Sequence, residues 1–213
     1  MSARSSLHSA LLLLGAVGCG HKGPAEPEAD PAQVQTLAAK MVVNIPAPAA
    51  ARPCTIGDLL GTPLTTTTLL ELAHKPVPGN PEYARWIQPT ALDTPAATVL
   101  LDPASPDDAK RHAAGAFLAA KAYVVYKTEM VAVPLALEVK ELKRGAVGLR
   151  AIGYDKAGNA VCIHVFNVQN DKAVSEWAQV QTDKALVDPA VSKALREDLT
   201  KQLLATVADL TKP

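Results

Sequence analysis

Residues 160–168 read Ala-Val-Cys-Ile-His-Val-Phe-Asn-Val, and this stretch decides the fold class. Apolar side chains fall on both faces of a period-two segment, the pattern of a strand covered from two sides, which places it centrally in a sheet. Just upstream, Asp155-Lys156-Ala157-Gly158-Asn159 has the composition of a hairpin loop. Val147–Tyr154 is the strand that this loop pairs with it. Further back, Arg144-Gly145 turns the chain out of Leu135–Leu142, where Leu135, Leu137 and Val139 alternate with Glu138 and Lys140. Tyr123–Val133 precedes it, with Val124, Tyr126, Met130 and Ala132 on one face. These strands follow one another through short turns and lack the helical crossover that a parallel pair needs, so the spacing predicts an antiparallel meander of about four or five strands.

Helical periodicity flanks the strands. At the C-terminal end, Asp188-Pro189 is a cap and first-turn signal. Val191, Leu195, Leu199, Leu203, Val207 and Leu210 then share one face of a long helix, with Glu197 and Lys201 placed to pair. Ser105-Pro106-Asp107-Asp108 starts another helix running to about Ala120, with Ser105 as its cap and two carboxylates near the positive end of the dipole. Asp30 and Pro31 open a third, over 31–45, where Val34, Leu37, Ala38, Met41, Val42 and Ile45 form one apolar stripe. Residues 46–53 are a Pro/Ala linker. The stripe has two readings: a helix docked on its own domain, or a helix that offers Val34, Leu37, Met41 and Val42 to a partner.

Other segments are less definite. Thr65–Thr68 suits extended backbone or a helix entry, Leu69–Ala73 suits a short helix, and Pro76 to Pro81 is a break. Thr98–Leu101 reads as a short strand, and 173–187 as either a helix presenting Val174, Trp177 and Gln181 or an edge strand. The sum is an α+β class fold, with helices over an antiparallel sheet in a single globular domain at 54–213.

The chain has 213 residues, with 21 Lys+Arg against 21 Asp+Glu. This balance supplies no basic field for nucleic acid or anionic lipid. Hydrophobic residues are 48% and aromatics only 4%, so the core is expected to be small and aliphatic.

Residues 1–18 have a single positive charge at Arg4, an apolar middle at Leu11–Leu14, and small or modest residues at Ala16-Val17-Gly18 before Cys19. Such a segment is an export signal, too short to span a bilayer. It resembles the signal peptide of bacterial lipoproteins, although Ala16 stands where that family favours leucine. The resemblance implies that Cys19 becomes the acylated first mature residue and that residues 19–30 form a flexible tether. It further implies a palmitate-bearing anchor, at the outer membrane facing the periplasm because Gly20 is not aspartate. Ala16-x-Gly18 also fits the cleavage site of an ordinary secreted protein, which is the alternative.

With Cys19 acylated, Cys54 and Cys162 remain as an even pair in an oxidising compartment, and a disulfide between them is expected. On the chain-entropy view a loop of that length contributes about 4–5 kcal/mol before strain is subtracted. Two buried thiols are the alternative.

Candidate chemistry is sparse. Cys162 and His164 share a strand face, but zinc needs more ligands than these two. Asp108 and His112 lie at i,i+4 and Glu71 and His74 at i,i+3, each a fragment of a ligand geometry. Serines 105, 175 and 192 lack a nucleophile elbow, and no glycine-rich phosphate loop occurs. No catalytic residue, cofactor or metal is implied. Tyr83, Trp86 and Trp177 are candidates for a carbohydrate or peptide surface. Three function classes are therefore carried: a non-enzymatic envelope lipoprotein contacting another envelope component; a periplasmic binder of a small ligand or lipid; and an envelope hydrolase assembled from His112, Asp108 and His164.

Overall fold

In the computed structural model, residues 27–47, 52–77, 92–132, 135–136, 142–143, 145–180 and 189–210 are described. In chain order they form α1 (Pro31–Val43), a 3-10 turn (Ile56–Leu59), β1 (Thr62–Thr65), α2 (Thr66–Leu72), α3 (Pro95–Leu101) and α4 (Asp107–Leu118). β2 (Ala122–Ala132), β3 (Leu135–Ala136), β4 (Leu142–Lys143), β5 (Ala146–Asp155) and β6 (Ala160–Gln169) follow, then α5 (Lys172–Val180) and α6 (Pro189–Leu210).

The main sheet has the order β1-β2-β5-β6. β2, β5 and β6 are antiparallel neighbours, whereas β1 runs parallel to β2, from Thr62 opposite Tyr123 to Thr65 opposite Tyr126. The fold is thus α+β with a mixed sheet, and the all-antiparallel meander is corrected. The helices α2 to α4 supply the crossover that the parallel pair requires. The described ends of Leu135–Leu142 lie outside this sheet. Leu135-Ala136 pairs with Leu142-Lys143 in a separate two-stranded ladder, and 137–141 lie outside the described residues.

A second correction concerns β6, which is an edge strand. The central, fully covered strand is β5, where every residue from Val147 to Tyr154 is buried. Apolar residues on both faces of β6 did not bring cover on both: Cys162 and Val168 are buried on one, while Val161 and Val165 on the other are 45% and 64% exposed. Thr98–Leu101 is helical, part of α3, with Pro95 pre-organising its first turn. An irregularity between Thr128 and Met130 turns Met130 away from the face shared by Val124 and Tyr126.

Helices cover both faces of the sheet. On one face Leu64, Tyr123, Val125, Ile152, Tyr154 and Ile163 meet Val34 and Met41 of α1, Leu69 of α2, Ala97 of α3 and Phe117 of α4. On the other, Val124, Tyr126, Leu149, Ala151 and Val168 meet Leu59 and the α6 residues Leu199, Leu203 and Val207.

The α1 stripe belongs to this core. The Asp30 carboxylate accepts from the Ala32 N–H and starts the helix. Val34 and Met41 are 1% and 0% exposed, while Leu37 and Val42 pack against the same cluster. For Val34 and Met41 the partner-facing role is therefore corrected, because their own core covers them; Leu37 and Val42 are half-buried against the same cluster.

Packing extends back to Pro27, into the stretch expected to be tether. The Ala29 N–H donates to the Arg111 carbonyl at 3.1 Å. A Cβ on Gly115 would stand 1.7 Å from the Pro27 carbonyl oxygen, so only glycine admits this approach.

Ser105 is not the cap of α4. Its hydroxyl donates to Asp102 at 3.0 Å, and Pro106 occupies the cap position. In α6, Glu197 pairs with Lys193 at 3.7 Å, one turn before it. Residues 172–180, which allowed either a helix or an edge strand, are helical; Asp188 and Gln181 lie outside the described residues.

Candidate functional site

β6 carries the only covalent crosslink among the described residues, between Cys54 and Cys162. The chain leaves α1 on the first face of the sheet and meets the outer edge of β6 at Ile163. There the Ile163 N–H donates to the Arg52 carbonyl at 2.8 Å, and the Cys54 N–H donates to the Ile163 carbonyl at 3.0 Å. It then crosses to the second face. A Cβ on Gly153 would lie 2.8 Å from the Asp58 carbonyl oxygen, and Leu59 enters the core beneath. Residues 52–59 thus wrap the sheet edge like a strap, with the disulfide at the bend. Thr55 and Asp58 hold the strap's own turn: the Asp58 carboxylate accepts from the Thr55 N–H at 2.9 Å and its hydroxyl at 2.8 Å. Those bonds hold the Asp58 carboxyl below its usual range.

A second cluster forms where β1 passes into α2. Asp93 accepts from the Thr65 N–H at 2.6 Å, from the Thr65 hydroxyl at 3.3 Å and from the Thr68 hydroxyl. The neighbouring Thr94 N–H donates to the Pro63 carbonyl at 3.1 Å, so residues 93–94 lie along the open side of β1. Burial pushes the Asp93 carboxyl above its usual range, and the three hydrogen bonds pull against that. With its oxygens engaged by the strand-to-helix turn, Asp93 fastens this corner. Sequence reading passed over it; the one local hint was Asp93-Thr94-Pro95, a polar pair before a helix-starting proline.

The other expected residues are dispersed. Cys162 is oxidised and so offers no thiolate to a metal, and His164 beside it stacks on Phe166 with ring centres 6.1 Å apart. His112 reaches the Asp108 backbone carbonyl at 2.8 Å through Nδ1, and Glu28 at 3.4 Å through Nε2. His112 belongs to α4, which packs on the first face of the sheet. His164 pairs in register with Ala151, whose side chain is on the second face. The sheet separates them, so His112, Asp108 and His164 are not brought together. His74 meets Gln35 at 3.0 Å. Among the described residues no group of three or more His, Cys, Asp or Glu is placed to hold a metal ion. Cys19, Tyr83 and Trp86 lie outside the described residues, as does the Trp177 side chain.

No family model, curated protein or solved structure matches this chain. The residues themselves carry the functional reading. No described helix is long and apolar enough to cross a membrane.

Proposed function

We propose that the chain is a lipid-anchored, non-enzymatic lipoprotein of the cell envelope, held through acylated Cys19 and contacting another envelope component. The observation that carries this reading is the run from Leu11 to Gly18-Cys19 behind Arg4. The Cys54–Cys162 disulfide supports it, since such bonds persist in oxidising compartments. With Pro27 docked on α4, only Gly20–Glu26 separate the anchor from the packed domain. Fully extended, that stretch reaches roughly 25–30 Å, which keeps the domain close to the bilayer. Because the α1 stripe packs into the domain's own core, the partner contact falls to exposed apolar positions on the sheet, Met130 and Val165, which are 51% and 64% exposed.

Intact mass of the protein extracted from membranes tests the reading. The expected species begins at Cys19 and carries added acyl chains, and Cys19→Ser leaves the protein in the soluble fraction. A mature N-terminus elsewhere, or an unmodified Cys19, overturns it.

A further inference from the structure

We propose that the Cys54–Cys162 disulfide is a redox-sensitive latch that holds the strap on the outer edge of β6. The described hydrogen bonds of Arg52–Cys54 with that edge are the two backbone bonds at Ile163. The Arg52–Asp58 ion pair, at 3.4 Å, lies within the strap and at the surface, where such pairs add little. Arg52, Pro53 and Thr55 are exposed, so among the described side chains the strap is packed at the half-buried Cys54 and at Leu59.

The two sulfurs are unequal. Cys162 is 0% exposed and sits in a strand of the main sheet, whereas Cys54 is half-buried on the strap. A dithiol reductant therefore attacks Cys54 Sγ. The S–S bond breaks, the electron pair leaves on Cys162 Sγ, and that sulfur takes up a proton. The reductant's second thiol then displaces Cys54 as a free thiol, and the reductant departs as its cyclic disulfide. The pair gains two electrons and two protons. Cys162 stays in the sheet while Cys54 swings away, which frees the Ile163 N–H and carbonyl between Val161 and Val165, exposed at 45% and 64%. The oxidised bond thus masks part of an apolar sheet edge that reduction uncovers.

The test treats the folded full chain with dithiothreitol, followed by pulse alkylation and peptide-resolved hydrogen exchange. Cys54 should alkylate at least about tenfold faster than Cys162, as expected for local opening. The Ile163 amide should lose protection while the amides of β2 and β5 keep theirs. The double variant Cys54→Ser with Cys162→Ser should show the same exchange pattern without reductant. Retained protection at Ile163 after reduction overturns the latch. So does equal labelling of both cysteines with protection lost throughout β2 and β5, because the bond would then hold the whole fold.

Discussion

The Tyr154 hydroxyl donates a hydrogen bond to the Met41 carbonyl at 3.2 Å, across 113 residues of sequence. It satisfies a carbonyl in the last turn of α1 and a phenol that is 1% exposed, and it ties the first helix to the central strand. Tyr123 does the same for α4, donating to the Phe117 carbonyl at 2.9 Å. Two of the chain's few aromatics thus join sheet to helix while filling the core.

Tyr154→Phe should lower unfolding free energy by about 0.5–1.5 kcal/mol, the net worth of one hydrogen bond. Met41→Ala should cost about 2–5 kcal/mol, because it leaves a cavity in the same layer. Urea titration of both variants measures this. An unchanged midpoint for Met41→Ala would show that α1 is not part of the domain.

Gly115→Ala gives a signed test of the Pro27 contact. In a helix with free space, the change stabilises by about 0.5–1 kcal/mol through propensity. Here the added methyl collides with the Pro27 carbonyl, so the variant should be less stable by about 1–3 kcal/mol. A Glu-specific protease should also cut faster at Glu28. A gain in stability would place Pro27 away from α4.

Two carboxylates should respond to acid with opposite signs. The Asn159 side-chain amide and N–H donate to Asp155 and hold its carboxyl below the usual range. Its stabilising contribution is present above the unfolded pKa and lost as pH falls through the folded one. Burial raises the Asp93 carboxyl, so its contribution is greatest below the unfolded pKa and is lost as pH rises through the folded one. Between about pH 2 and 6, Asp155→Asn should therefore flatten the acid loss of stability and Asp93→Asn should steepen it. Urea midpoints across that range decide, and identical slopes for both variants would count against the two environments.

On the alkaline side, burial pushes Tyr123 and Tyr126 up to about 12, and Tyr154 further. Folding should lose stability as pH rises from the unfolded value near 10 through the folded ones. Ultraviolet titration of the native protein should show these phenols silent near pH 10 and ionising together on unfolding. Free ionisation near pH 10 in the folded state would contradict their burial.

The candidate sites were legible to different degrees. Pairing Cys54 with Cys162 needed only a count, once Cys19 was set aside as the lipid-bearing residue that the signal resemblance implies. The Asp93 cluster was not legible, since its carboxylate lies 28 residues from Thr65 and 25 from Thr68, and no local pattern links them. His112 and His164 looked combinable because one-dimensional spacing is silent about which face of a sheet a side chain takes.

Several local elements were readable from neighbouring residues alone, although Thr98–Leu101 and the Ser105 cap were not. The Asp30-Pro31 start of α1, the loop at Asp155–Asn159 with Gly158 at φ 78°, and the strand alternation all follow from interactions within a few residues. That β1 lies parallel to β2, that β6 is an edge, and that the α1 stripe is core came from long-range packing. Those outcomes depend on backbone hydrogen bonds and apolar contacts between distant segments, such as Thr62 beside Tyr123 and Met41 beneath Tyr154. Backbone groups are the same in every residue but proline, so their long-range pairing leaves no mark in a local pattern.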